Sequence, residues 1–238
     1  MKTVRVLTMI IALVGACLTG RALYLHAKAE LAGRLIRRSW EQSVRTGKPQ
    51  PPWAWADTHP IGWLRIPRLG YDEIVLEGAT PRTLAFGPAR LMSGAAMGEA
   101  GNLVLAGHRT SWFRSLEGIK QGDTIQVDSL NAHGELHEQI YRVDIVRVTM
   151  PEDVSLLTPT LEDSLTLITC YPFGRSPRSP RRFVVRASPV AEADYIIGAR
   201  RMGTLVDRLQ RELGYARTRE QAELIHSSPT FLLKMDAT

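Results

Sequence analysis

Ser164-Leu-Thr-Leu-Ile-Thr-Cys-Tyr-Pro-Phe173 alternates aliphatic and β-branched residues, with Leu165, Leu167 and Thr169 set against Thr166 and Ile168. Pro172 and Gly174 close the run, so the stretch predicts a buried strand of about five or six residues that runs directly into a turn. Cys170 stands where that strand stops. A thiol at a strand end, followed by an arginine-rich loop, is a candidate nucleophile. Its competing reading is a small apolar filler of the core.

Working outward, further short strands lie on either side. Ile61–Pro67 and Tyr71–Glu77 flank Arg68-Leu-Gly70. Asn102–Ala106 is a buried strand ending on Gly107-His-Arg109, after a Gly/Ala-rich loop that runs from Phe86 to Gly101. Thr124–Asp128 and Ile140–Thr149 follow, joined by a polar loop, and Arg182–Ala187 is the last strand. Pro81–Phe86 reads as a helical turn and Thr110–Leu116 as a short helix. Many short strands with few helices predict an all-β barrel or sandwich.

The chain of 238 residues is 44% hydrophobic and 23% charged, enough apolar material for one ordinary domain with extensions. Its net charge of +6 is spread along the chain and forms no stripe with interleaved aromatics, which argues against nucleic acid as a partner. A basic balance of this kind suits a membrane or anionic envelope surface. Two cysteines make no disulfide framework, and Cys17 lies in an apolar segment away from Cys170.

That segment, Val6–Gly20, follows Lys2 and Arg5. Residues 1–28 are expected to form an uncleaved, single-pass membrane anchor rather than a cleaved signal peptide, because a helical pattern continues beyond the apolar run. Arg21 breaks the run and must snorkel if Ala22–Leu25 extend the span. Residues 29–52 are expected to be a helical stalk, with Leu31, Leu35 and Ile36 at helical spacing, and a stiff linker containing Pro49, Pro51 and Pro52. Residues 53–189 are expected to form the globular domain. In residues 190–238, Met202, Leu205, Val206, Leu209 and Leu213 line one helix face, and Thr218–Gln221 matches a capping box, so a helical C-terminal extension is expected.

Three residues carry the chemistry. Cys170 and His108 each follow a buried strand, and Arg182 opens a third. A thiol attacking an amide needs a proton-handling partner and a donor for the oxyanion. Guanidinium supplies the latter because it stays charged and offers several donors. Strand ends in a β domain are rigid mounts on which three such groups can converge.

Ala106-Gly-His-Arg109, Thr166-Leu-Ile-Thr-Cys-Tyr-Pro-Phe173 and Arg181-Arg-Phe-Val-Val185 resemble the sortases, in the same order. Ile61-Gly-Trp-Leu-Arg-Ile-Pro67, Gly101–His108, Phe113 with Leu116, and Gly122-Asp123 add to the likeness. Leu84-Ala-Phe-Gly-Pro88 and Ala56-Asp57 look most like the sortases of Gram-negative bacteria. The resemblance covers about residues 53–188. It implies a closed β-barrel of about eight strands with short helices, and a cysteine transpeptidase with no cofactor or metal. By resemblance, Cys170 attacks the Thr–Gly bond of an LPxTG-like sorting signal, His108 moves the protons and Arg182 holds the acyl carbonyl. Thr169, Arg109 and Tyr171 are expected to contact substrate. An envelope amine is the implied acceptor, and the domain is expected to face the periplasm or the outside from the inner membrane. Arg181 beside Arg182 leaves a one-residue register question, and the calcium-binding acidic cluster of some sortases is not recognisable. The motifs leave open a cysteine endopeptidase, with water as acceptor, and a membrane-anchored scaffold with an inert thiol. His133-Gly-Glu-Leu-His137 has metal-ligand residue types but is expected to be a solvated loop.

Overall fold

The computed structural model describes residues 2–131, 133–174 and 179–191. Contacts divide the chain into two units, Met1–Val190 and Ala191–Thr238. The expected helical extension and part of the arginine-rich loop, residues 175–178, fall outside the described residues.

One helix, α1 (Lys2–Thr46), precedes eight strands: β1 (Pro60–Ile66), β2 (Tyr71–Leu76), β3 (Ala89–Arg90), β4 (Asn102–Ala106), β5 (Thr124–Leu130), β6 (Leu136–Thr149), β7 (Ser164–Cys170) and β8 (Arg182–Pro189). They close a barrel in the order β1-β2-β3-β4-β7-β8-β6-β5. Closure leaves no free sheet edge. Two neighbouring pairs are parallel, β2 with β3 and β4 with β7, and the others are antiparallel.

Strand alternation builds the interior. Leu64 and Ile66, Leu103 and Leu105, Ile125 and Val127, Leu165 and Leu167, and Val185 and Ala187 point inward with Phe113 and Leu116. Each inward position is two residues from the next, the period of a pleated strand. β7 is buried on its outer face too, where Ser164 and Thr166 are covered. The covering comes from the segment between β6 and β7. Asn102 Nδ2 donates to Leu156 O and Thr158 O at 2.9 and 3.0 Å, and Thr166 Oγ1 makes bonds of 2.8 Å to Asn102 Oδ1 and 3.1 Å to Leu156 O.

The structure departs from the sequence expectation in three places. β3 lies inside what reads as a Gly/Ala-rich loop, and its two residues are specified by pairing with β2 and β4 rather than by any local pattern. Arg90 is buried there against the Glu77 carboxylate and the carbonyls of Gly94 and Ala95. β6 begins at Leu136, four residues before the expected start, because Leu136–Gln139 pair with β5. The Thr110–Leu116 helix is a turn followed by a 3-10 segment, Arg114–Gly118.

The 45 residues of α1 span about 68 Å at ~1.5 Å per residue. The bilayer's apolar layer is only ~30 Å thick. An 18-residue window of α1 has mean hydropathy 2.0 and is long and apolar enough to cross a membrane. The other end of the helix is docked. Ile36 and Trp40 pack with Ile74, Leu76 and Ala89, and the Arg37 guanidinium lies 4.9 Å from the Trp63 ring. Burial pushes the Glu73 carboxyl up, an effect that Arg37 opposes. The proline-rich segment is not a free spacer. Ser39 Oγ donates to Gln50 O, and Gln50 N donates to Ser43 Oγ at 2.9 Å, folding the chain back along the helix.

Candidate active site

The β4–β7 pair decides where the thiol sits. Its parallel register runs from Asn102↔Ser164 to Ala106↔Ile168. Two residues further along each strand come His108 and Cys170. The alignment is held past the ladder's end by Gly107 N donating to Ile168 O at 3.3 Å and by Thr169 Oγ1 donating to Gly107 O at 2.7 Å. Neighbouring strands lie about 4.8 Å apart, so the two chain segments are adjacent.

On the other side of β7, Cys170 is the direct cross-strand partner of Arg182. Residues directly opposite in an antiparallel pair project from the same face. Because Leu165 and Leu167 point inward, Cys170 belongs with Thr166 and Ile168 on the outer face. In the ladder Arg182 faces the thiol's strand end, while the Arg181 guanidinium lies 5.2 Å from the Tyr171 ring. The half-buried Arg182 donates through Nη1 to Pro180 O at 2.8 Å and to Arg181 O at 3.3 Å.

His108 is exposed, and its backbone is anchored. Its carbonyl accepts from Phe113 N at 3.0 Å and from Ser111 N at 3.3 Å, which forms the turn after β4. Phe113 then places its ring beneath Gly107. A Cβ built on Gly107 would stand 2.8 Å from two ring carbons, so the strand end and the core ring meet at a distance only glycine permits.

The three residues expected to contact substrate have different settings. Thr169 is 3% exposed and faces inward, and its hydroxyl donates to Gly107 O, so it ties two strand ends together. Tyr171 is half-buried in an aromatic cluster, stacked on Phe183 at 6.5 Å between centroids and edge-on to Phe173 at 6.2 Å. Arg109 is half-buried and donates from Nη1 to Pro172 O at 2.6 Å. Sequence reasoning missed Asn102 and Thr166 as fasteners of the covering segment. Their signal was polarity within otherwise apolar strands, which is legible only when both strands are known to be neighbours. The His133–His137 stretch divides between a turn and the start of β6, with both histidines exposed.

A family model described as the sortase domain matches residues 64–190, more than half of the chain. Among known proteins, Sortase D of Bacillus subtilis (strain 168) is 30% identical over 125 residues, covering 52% of this chain and 61% of that protein. Sortase A of Bacillus anthracis is 31% identical over 114 residues, covering 46% and 51%. The chain therefore matches between half and two thirds of those relatives' lengths. Among solved structures, a Clostridium perfringens Sortase D5 transpeptidase superposes with a TM-score of 0.54 at 22% identity, over 68% of this chain and 99% of that one, which is a likeness of fold. Sortase A from Corynebacterium diphtheriae gives 0.50 at 29% identity, over 58% and 63%. An eight-strand closed barrel, a cysteine at the end of its seventh strand and a family match spanning that barrel have one common reading: the chain belongs to the sortase family.

Proposed function

We propose that this chain is a membrane-anchored transpeptidase that cleaves an LPxTG-like sorting signal and joins the released acyl group to an amine of the cell envelope. The observation that carries this reading is the register on either side of β7, which brings Cys170 alongside the His108 strand end and opposite Arg182.

The Cys170 Sγ adds to the carbonyl carbon of the scissile Thr–Gly bond. The thiol proton passes to His108, and the oxyanion that forms is met by the Arg182 guanidinium. Collapse breaks the C–N bond. His108 returns a proton to the leaving glycine amine, and a thioester on Cys170 remains. An incoming amine attacks that carbonyl and gives up a proton to His108. The C–S bond breaks, the new amide leaves and the thiol is restored. Thiol and imidazole divide nucleophile and acid–base roles, as covalent acyl transfer requires. Arg182 can reach the oxyanion once it exchanges its own-loop carbonyls for substrate, and removing such a donor costs about 10²–10³ in kcat.

The apolar part of α1 supports a single-pass anchor in the inner membrane, with residues 53–189 as the catalytic unit on the outer side. The assay is intact-mass analysis of the full chain in detergent, incubated with LPxTG-like peptides, beside Cys170→Ala, His108→Ala and Arg182→Ala. The expected result is an acyl adduct that requires Cys170 and disappears with His108→Ala. Added amine then yields a transferred product; release of free acid in its presence would make water the acceptor and the chain an endopeptidase. No adduct, together with a folded-state thiol that resists alkylation, would overturn the reading in favour of a scaffold.

A further inference from the structure

The two turns that present His108 and Cys170 are joined by Arg109. It is the residue next to His108, and its Nη1 donates to the carbonyl of Pro172, two residues past Cys170, at 2.6 Å. The bond crosses 63 positions of sequence between segments that have left their β ladder. Behind it, the ladder's last ties are the Gly107 amide on Ile168 O and the Thr169 hydroxyl on Gly107 O. Those two bonds restrain the strand ends at 107 and 169. Beyond them β4 and β7 share no ladder pairing; Cys170 keeps its pairing with Arg182 and His108 its turn bonds to Ser111 and Phe113, so the two turns need a bond across to fasten one to the other. The Arg109 guanidinium does so at a charge-assisted distance, with a rigid planar group suited to a fixed carbonyl.

We infer that Arg109 is a positioning residue, one that sets the separation of the His108 and Cys170 turns, rather than a substrate ligand. Its short bond commits it to the protein's own backbone. It also sits on the segment that must hold still while a proton moves between the two side chains. Misplacement of reacting groups by about 1 Å can cost 10²-fold in rate. A residue that governs this spacing therefore acts on kcat, whereas a substrate ligand acts first on KM.

This rests on the transpeptidase reading for its kinetic half, so one readout needs no peptide. In a full-length Cys17→Ser background, the alkylation rate of Cys170 by iodoacetamide is measured at one fixed pH for Arg109, Arg109→Ala and Arg109→Lys, each with His108 present and with His108→Ala. The expected pattern is a change of about fivefold or more on Arg109→Ala when His108 is present. It largely vanishes with His108→Ala, because coupled neighbours are not additive. Lysine keeps one donor for Pro172 O and should recover part of the difference. With an accepted peptide, Arg109→Ala should lower kcat about ten- to hundredfold with KM changed by less than about threefold. An unmoved alkylation rate, together with a raised KM at constant kcat, would overturn the inference. If no peptide reacts with the background protein, the function fails on its own. The alkylation cycle still decides Arg109: coupling through His108 supports it, and its absence removes it. Should Arg109→Ala fail to fold, the Arg109→Lys comparison carries the same test.

Discussion

Replacing Gly107 with alanine tests whether core packing sets the geometry of the site. The new methyl would stand 2.8 Å from the Phe113 ring, and an ordinary contact begins near 3.4 Å, so about 0.6 Å must be found. Phe113 is fully buried and its own amide is tied to His108 O, so the ring has little room to retreat. The alternative is that the backbone at 107 lifts, which strains the 3.3 Å bond to Ile168 O and the Thr169 hydroxyl bond, and carries His108 with it. Overpacking of this size costs about 1–3 kcal/mol. For a domain this large that lowers the melting midpoint by roughly 2–12 °C. If His108 moves the proton as proposed, a shift of half an ångström or more there should cost about tenfold or more in kcat. Full-length Gly107→Ala in detergent is compared by thermal unfolding and by the rate of acyl-adduct formation. The double substitution Gly107→Ala with Phe113→Leu relieves the contact and should recover much of the lost rate, although Phe113→Leu alone is destabilising through the cavity it leaves. Gly107→Ala with unchanged midpoint and unchanged rate would refute the reasoning: the ring would then yield freely, and the site would not be set from below.

Three other outcomes follow from the packing. Trp40→Ala removes the main side chain that docks α1 on β2 and β3, and should cost about 3 kcal/mol, read as a lowered denaturant midpoint of the full chain; an unchanged midpoint would mean the helix is only loosely applied. Arg90→Met strips the half-buried Glu77 carboxylate of its partner and frees the Gly94 and Ala95 carbonyls around the buried Arg90 site, so a loss of about 2–3 kcal/mol is expected, and Arg90→Met/Glu77→Leu should restore part of it. The Arg68 guanidinium holds the Asp123 carboxyl below its usual range, helped by the Lys120 amide. A carboxyl whose folded-state pKa is depressed contributes stability above its unfolded value, about 3.9, and loses it as pH falls through the folded one. Wild type should therefore lose more stability than Asp123→Asn between about pH 5 and pH 2 in urea melts; parallel curves would remove Asp123 from the account.

Much of this was legible because it is local. The Ser164–Cys170 strand, the helical run from the membrane segment into residues 22–45, and the strands after Asn102 and before Ala187 each announce themselves by period and by their stops. The family likeness added the order of His108, Cys170 and Arg182. Local chemistry does not say which way the Thr169 hydroxyl, next to the candidate nucleophile, points. Alternation within β7 turns it inward, and that follows once Leu165 and Leu167 are known to line the core.

By itself, then, the sequence determined which of the longer segments form strands, where the apolar helix runs and which residues carry a thiol, an imidazole or a guanidinium at a strand end, since those follow from periodicity, turn residues and functional groups carried in each segment. Only the tertiary structure decided that β4 and β7 lie side by side and parallel, that Arg182 rather than Arg181 stands opposite Cys170, and that two residues at Ala89–Arg90 are a strand at all. It also seated the end of α1 on the barrel and stretched Arg109 across to Pro172. These are pairings between segments far apart in the chain. Their register is selected by which combination buries Leu103, Leu105, Leu165 and Leu167 together, and no single segment contains that information.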